Sequence, residues 1–271
     1  MTRRGRTAGA AVLLLLVLLA GCALPGTRPE RSAAEAGAAP GSAASQPAPH
    51  RRWGLSTPLS PPPAPPARPR PPARPAGGLP PVLDRVPTPH EVVFLTYDDG
   101  AEKDPRFVDM VRELRLPVSM FLTDSVVGPG YGHFARLRSV GASVQNHTLD
   151  HAALRGLPYA GQRAEICGQQ QKIHARFGVR PHLFRPPYGA YDTTTRRAAA
   201  DCGIAAIVLW RATMNAADLT FAEGPARLRP GDIVSVPSTE TPSPMLRERT
   251  TRLLKRVQEA GLTVGRLEDY L

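Results

Sequence analysis

Two adjacent carboxylates, Asp98 and Asp99, close the run TYDDG at 96–100, and two histidines four residues apart, His147 and His151, follow in NHTLDH at 146–151. Arg185 opens the core of a third run, FRPPYG at 184–189. One carboxylate with two imidazoles is a donor set for a divalent metal, zinc above all. The second carboxylate is then free to move a proton. At i and i+4 of a helical turn, two imidazoles project from one face and can grip one ion. Asp98 and Asp99 follow an apolar strand-like run, in which successive side chains point to opposite sides, so the pair can divide these tasks. DDG is also an ordinary turn composition. Arg185 suits a charge-assisted grip on a carboxylate. The prolines Pro186 and Pro187 stiffen the backbone beyond it, as the accurate presentation of a main-chain N–H requires. The remaining histidines (His50, His90, His133, His174, His182) lack such pairing.

Three motifs at strand ends need a scaffold that brings strand ends together. Strand-like runs fall at 92–97, 118–122, 143–145, 182–185, 205–210, 232–236 and 262–264. Helical patterns fall between them at 105–114, 134–140, 161–177, 194–202 and 245–260. Strand–helix alternation implies a parallel α/β sheet, either doubly wound or closed. Reactive residues at the C-terminal ends of several strands favour closure. The expectation is an incomplete or distorted (β/α) barrel of about seven parallel strands over residues 90–271.

The front of the chain is of another kind. Arg3, Arg4 and Arg6 precede an apolar stretch at 10–20, too short to span a bilayer, which needs about 20 residues. It ends in Leu19-Ala20-Gly21-Cys22, which resembles the lipobox of bacterial lipoproteins. Residues 1–21 are therefore expected to be a lipoprotein signal peptide and Cys22 a lipidated N-terminus, anchoring the protein to the outer face of the cell membrane. Nineteen of the 31 prolines lie between residues 23 and 89, and no apolar period runs through them. The expectation over 22–89 is a disordered, Pro/Ala/Arg-rich linker reaching into the cell wall. Residues 1–90 hold 11 arginines against 3 acids, so most of the net +11 belongs to this segment. Arginines in a Pro-rich tether without interleaved aromatics suit anionic lipid or wall polymer rather than nucleic acid. Cys167 and Cys202 are either an exported protein's disulfide or two buried thiols. A monomer is expected.

TYDDG, HTLDH and RPPYG resemble the first three motifs of the polysaccharide deacetylases, carbohydrate esterase family 4, with its NodB-like domain. The resemblance implies a distorted (β/α) barrel and metal-assisted removal of acetyl groups from a polysaccharide such as peptidoglycan or chitooligosaccharide. It implies Asp98 as base, Asp99, His147 and His151 as ligands of Zn2+ (Co2+ or Ni2+ as substitutes), and Arg185 as the group that orients the base. Tyr188 matches the residue whose backbone N–H meets the oxyanion, and Pro187 and Trp210 match substrate-groove positions. Two later motifs depart from the pattern. Thr213 and Ala216 stand where aspartates are expected, with Asp218 out of step. In LRPGDIVSVPS, Pro237 replaces the histidine that protonates the leaving group. His133, Asp124 and Glu240 are candidate substitutes. An O-acetyl ester substrate, which tolerates a missing acid, and a catalytically impaired glycan-binding lipoprotein are the alternatives.

Overall fold

The computed structural model describes residues 47–67, 78–238 and 245–271. The strands are β1 (Val82–Leu83), β2 (Val92–Asp99), β3 (Val118–Leu122), β4 (Ser143–Asn146) and β5 (Leu183–Phe184). They continue as β6 (Ala206–Val208), β7 (Ala212–Met214), β8 (Leu219–Phe221), β9 (Ile233–Val236) and β10 (Thr263–Gly265). The helices are α1 (Pro49–Arg52), α2 (Pro105–Leu114), α3 (Asp124–Val127), α4 (Tyr131–Ser139), α5 (Tyr159–Phe177), α6 (Thr193–Asp201) and α7 (Leu246–Glu259).

The strands form one sheet ordered β1-β6-β5-β4-β3-β2-β9-β7-β8, with β10 against β2. Every pairing among them is parallel except β7–β8. Residues 206–214 pair first with β5 and then with β9, so this one stretch of chain carries the sheet round from one edge to the other. Leu83, Asp84 and Val86 bond across the same gap, to Leu209, Ile233 and Gly231. The result is the expected distorted barrel. The antiparallel β7–β8 hairpin and the two-residue β1 add to the expected strand set.

Alternation along β2 divides the core. Val93, Leu95 and Tyr97 pack outward against Phe107 and Val111 of α2 and Leu253 and Leu254 of α7. Val92 and Phe94 point into the barrel with Phe121, Leu183, Val208 and Ile233. The inward face of β2 therefore continues through Thr96 to Asp98, and period 2 alone delivers the carboxylate to the barrel's C-terminal mouth. Asp104 caps α2, its carboxylate accepting from the Arg106 amide at 2.9 Å.

The expected structureless linker is corrected over residues 78–89, where β1 pairs with β6 and Val86 is buried, and over residues 47–67. Here the chain forms α1 and then lays Trp53 and Leu55 into the outer core, 6% and 2% exposed. Trp53 Nε1 donates to Glu113 Oε2 at 2.7 Å, and Thr251 Oγ1 donates to the Trp53 carbonyl at 3.1 Å. Gln258 Nε2 donates to the Thr57 and Pro58 carbonyls at 3.2 and 3.1 Å. Two large apolar side chains and satisfied backbone groups offset the ordering entropy that the surrounding composition could not. Cys22 and the signal segment 1–21 lie outside the described residues. Among the described residues no helix is long and apolar enough to cross a membrane.

Candidate metal centre and base

Asp98 is 8% exposed, and both its carboxylate oxygens have donors. Arg185 Nη1 reaches Oδ1 at 2.5 Å, and Ser235 Oγ donates to Oδ2 at 2.8 Å. Arg185 is itself wholly buried. Its remaining donors are spent on the Thr96 hydroxyl at 2.9 Å and on the Val208 and Leu209 carbonyls, each at 3.0 Å. The guanidinium lies over the rings of Phe121 and Trp210, 4.3 and 5.3 Å from their centroids. Burial pulls its pKa down from the ordinary arginine value, and the Asp98 charge works against that pull. A buried cation with all three guanidinium nitrogens bonded is a rigid fixture, and it holds the carboxylate in place.

One residue later, at the last position of β2, the backbone turns. Asp99 has φ 66° and Gly100 φ 88°, so the chain turns left-handed immediately after Asp98. A Cβ at residue 100 would lie 2.9 Å from Phe134 and Val127 side-chain atoms, so glycine is required there by space as well as by φ. The turn aims Asp99 at the histidine loop: its Oδ1 lies 3.2 Å from His147 Nε2 and 3.1 Å from His151 Nε2.

The two histidines do not sit on a helical turn, contrary to the spacing argument. They come from a loop after β4 in which Thr148 (φ 70°) and His151 (φ 57°) are both left-handed. Side chains hold that loop: Asn146 Oδ1 accepts from the Thr148 amide, and Glu165 Oε2 accepts from the Leu149 and Asp150 amides. Local bonds of this kind replace the helical ladder. One ligand atom from each of Asp99, His147 and His151 lies within 4.8 Å of the others.

These residues fit a divalent cation. The Arg185 carbonyl, an acceptor only, lies 2.7 Å from His147 Nδ1, so that nitrogen carries the ring proton and Nε2 presents a lone pair. The lone pair faces Asp99 Oδ1, a buried oxygen with no hydrogen-bond donor. An anionic oxygen held against imidazole nitrogens needs a cation or a proton between them. Burial works to raise the Asp99 carboxyl, but the two imidazoles outweigh it and hold it well below the usual carboxylate range. The Asp99 carboxylate beside it correspondingly raises His151.

Tyr188 reaches the same place from the third motif. Its ring packs edge-on to His151 with centroids 4.9 Å apart, its side chain is 70% exposed and its φ is 60°. A large residue in that conformation stores strain where the surroundings impose it. Pro187 is buried beside it, and Trp210 underlies Gly189, 3.3 Å from a Cβ placed there.

The candidate proton donors are placed elsewhere. His133 is 4% exposed among Tyr97, Phe107 and Phe134, in the layer outside the barrel. Burial, with Arg136 and Lys103 adding to it, lowers its pKa to about 4, so it is neutral near pH 7. Asp124 accepts from the Tyr131 hydroxyl and pairs with Lys172 at 3.1 Å. Glu240 lies outside the described residues. Thr213 and Ala216 supply no carboxylate, and Asp218 is on the outer hairpin, 2.7 Å from Arg256. Pro237 follows β9, its carbonyl accepting from the buried Arg249. Cys167 and Cys202 form a disulfide that ties α5 to the end of α6. Sequence reasoning missed Ser235, whose only signal was a serine inside an apolar strand.

The polysaccharide deacetylase family model matches residues 85–207. An uncharacterised protein of Streptomyces coelicolor is 66% identical over 194 residues, 71% of this chain and 78% of that protein. Chitin deacetylase 1 of Cryptococcus neoformans is 28% identical over 179 residues, 65% of this chain but only 38% of that protein. Among solved structures, a CE4-family pseudoenzyme from Bacillus anthracis superposes with a TM-score of 0.60 at 18% identity, covering 70% of this chain and 69% of its own. A mutant of that pseudoenzyme, described as having restored enzymatic activity, superposes at 0.59 and 20% identity over 70% of this chain and 71% of its own. Both likenesses concern the barrel. With motifs and barrel in agreement with the family-model match, residues 85–207 of this chain carry a polysaccharide deacetylase domain.

Proposed function

We propose that the protein is a metal-dependent hydrolase that removes N-acetyl groups from amino sugars of an acetylated polysaccharide, peptidoglycan being the substrate its expected anchoring favours. The carrying observation is the division of labour at the end of β2. Asp99 is turned toward His147 and His151, while Asp98, one residue earlier, is clamped by Arg185 and pairs with neither. A site that only held an ion would not need the second carboxylate.

Asp99, His147 and His151 would hold the cation, with zinc the ordinary match for two imidazoles and a carboxylate. When bound, such a cation supplies Lewis-acid activation of water and of the acetyl carbonyl. Asp98 accepts the proton of the attacking water, and Arg185 holds the carboxylate in line. The main-chain N–H of Tyr188, the residue whose ring packs on His151, would donate to the carbonyl oxygen as its charge grows. Breaking the C–N bond then returns a proton to the departing nitrogen and releases acetate.

That last proton is the weak step, because Pro237 has none to give. Loss of a general acid costs on the order of 10²–10⁴-fold. This observation supports a second reading, in which the substrate is an O-acetyl ester or the barrel binds glycan with little turnover. Attachment through Cys22 to the outer face of the membrane completes the proposal. The test is acetate release from acetylated peptidoglycan and chitooligosaccharides by the zinc-loaded chain lacking its first 22 residues, with Asp98→Asn beside it. Acetate with matching free amines supports the first reading, and acetate without amines selects the ester. Zinc and glycan binding without acetate selects the binder.

A further inference from the structure

We infer that Ser235 is a positioning residue for Asp98, the donor by which β9 serves the site in place of the histidine it lacks. The inference rests on the hydrolase reading of the site. All four residues of β9 are buried, and Ser235 is 3% exposed. A hydroxyl in such a strand is costly unless it is bonded, and this one donates to Asp98 Oδ2 at 2.8 Å. The register explains the contact. Ser235 is level with Thr96 on β2 and Thr213 on β7, and Asp98 lies two residues beyond Thr96 on the same inward face. The neighbouring polar groups are already committed: Thr96 Oγ1 donates to the Val234 carbonyl and accepts from Arg185 Nη1.

The two donors to Asp98 do different work. Arg185 grips Oδ1 alone, and a carboxylate held by one oxygen can swing about its broad terminal torsion. Ser235 on Oδ2 fixes the plane of the carboxylate, leaving one lone-pair direction on each oxygen unengaged. Two residues further along the same face, Pro237 offers neither an N–H nor a titratable side chain. Ser235 is too deeply buried to meet substrate, so it acts through the base.

The test compares Ser235→Ala, Ser235→Thr and Ser235→Val in the chain lacking its first 22 residues, loaded with zinc. The expected result is a fall in kcat of about tenfold for alanine and valine, the scale of a slightly misplaced group. KM and zinc affinity stay unchanged, and threonine, which restores the hydroxyl, recovers most of the rate. Unchanged kcat in the alanine and valine variants overturns the inference, as does failure of threonine to differ from valine. Crystal structures of the zinc-loaded wild type and Ser235→Ala supply the second readout. One Asp98 orientation in the wild type, rotated or split in the variant, supports the inference; an identical orientation in both overturns it. Were the wild type to release no acetate, the hydrolase reading alone would fail, and the Asp98 orientation would still decide the role of Ser235.

Discussion

At the scale of single residues the site separates two carboxylates by conformation alone. Asp98 keeps to the inward face of β2, while Asp99, the last residue of the strand, turns away at φ 66°. Metal binding and proton transfer are accordingly separable by substitution. His147→Ala is expected to weaken zinc binding by at least about tenfold in calorimetry, since it deletes one of three donors. Asp98→Asn is expected to bind zinc as the wild type does while losing acetate release by about 10²-fold or more. Equal loss of zinc by both variants would show that Asp98 is a ligand. Pro237 gives a gain-of-function test. Pro237→His combined with Thr213→Asp introduces an acid and a carboxylate on the same inward face, Thr213 being level with Ser235, which lies two residues before Pro237. The rate of amide hydrolysis is expected to rise about tenfold or more, with ester hydrolysis rising less, because an alkoxide departs without prior protonation. A rise shared equally by both bonds would argue against proton supply as the limit.

At the scale of elements, what was legible in the sequence was what packing makes periodic. β2 and β3 are apolar runs buried on both faces, α2 has a regular apolar stripe, and the motifs sit where such strands end. The histidine loop was misread as a helical turn because spacing of four residues is all that sequence shows. Its left-handed Thr148 and His151 depend on acceptors contributed by Asn146 and by Glu165 of α5. The docked segment at 47–67 was invisible for a different reason. Trp53 and Leu55 are two residues among prolines, without a period, and their groove is built by Glu113, Thr251 and Gln258, far along the chain. If this segment belongs to the domain, Trp53→Ala should cost about 3–5 kcal/mol, as for other buried large side chains. Calorimetry is expected to record a fall in Tm of roughly 10 °C. A Tm within about 2 °C of the wild type would mean that the segment is seated without contributing to stability.

For the whole molecule, the buried histidine that cannot serve as an acid still governs stability. His133 is packed in the outer layer with an Nδ1 that has no hydrogen-bond partner, and its pKa lies near 4. The unfolded chain protonates an ordinary histidine at about 6.5, whereas the folded chain resists until about 4. Between those values the unfolded state binds more protons, so folding stability falls as pH drops through the window. Above about 6.5 the contribution is flat. His151 has the opposite sign, since Asp99 raises its pKa and that stabilisation fades as pH rises through the folded value. Comparing variants at one site removes His151 from the account. In the metal-free chain lacking its first 22 residues, His133→Phe is therefore expected to keep wild-type stability at pH 8 to within about 1 kcal/mol, because it replaces an unbonded imidazole by an apolar ring. At pH 4.5 it is expected to be more stable than the wild type by about 2 kcal/mol, measured by urea unfolding. Parallel stability curves for the two proteins from pH 8 to 4.5 would contradict this, and would mean that His133 is protonated in the folded chain as readily as in water. The same result would reopen His133 as a proton donor, since a histidine that titrates near neutrality has a proton to give.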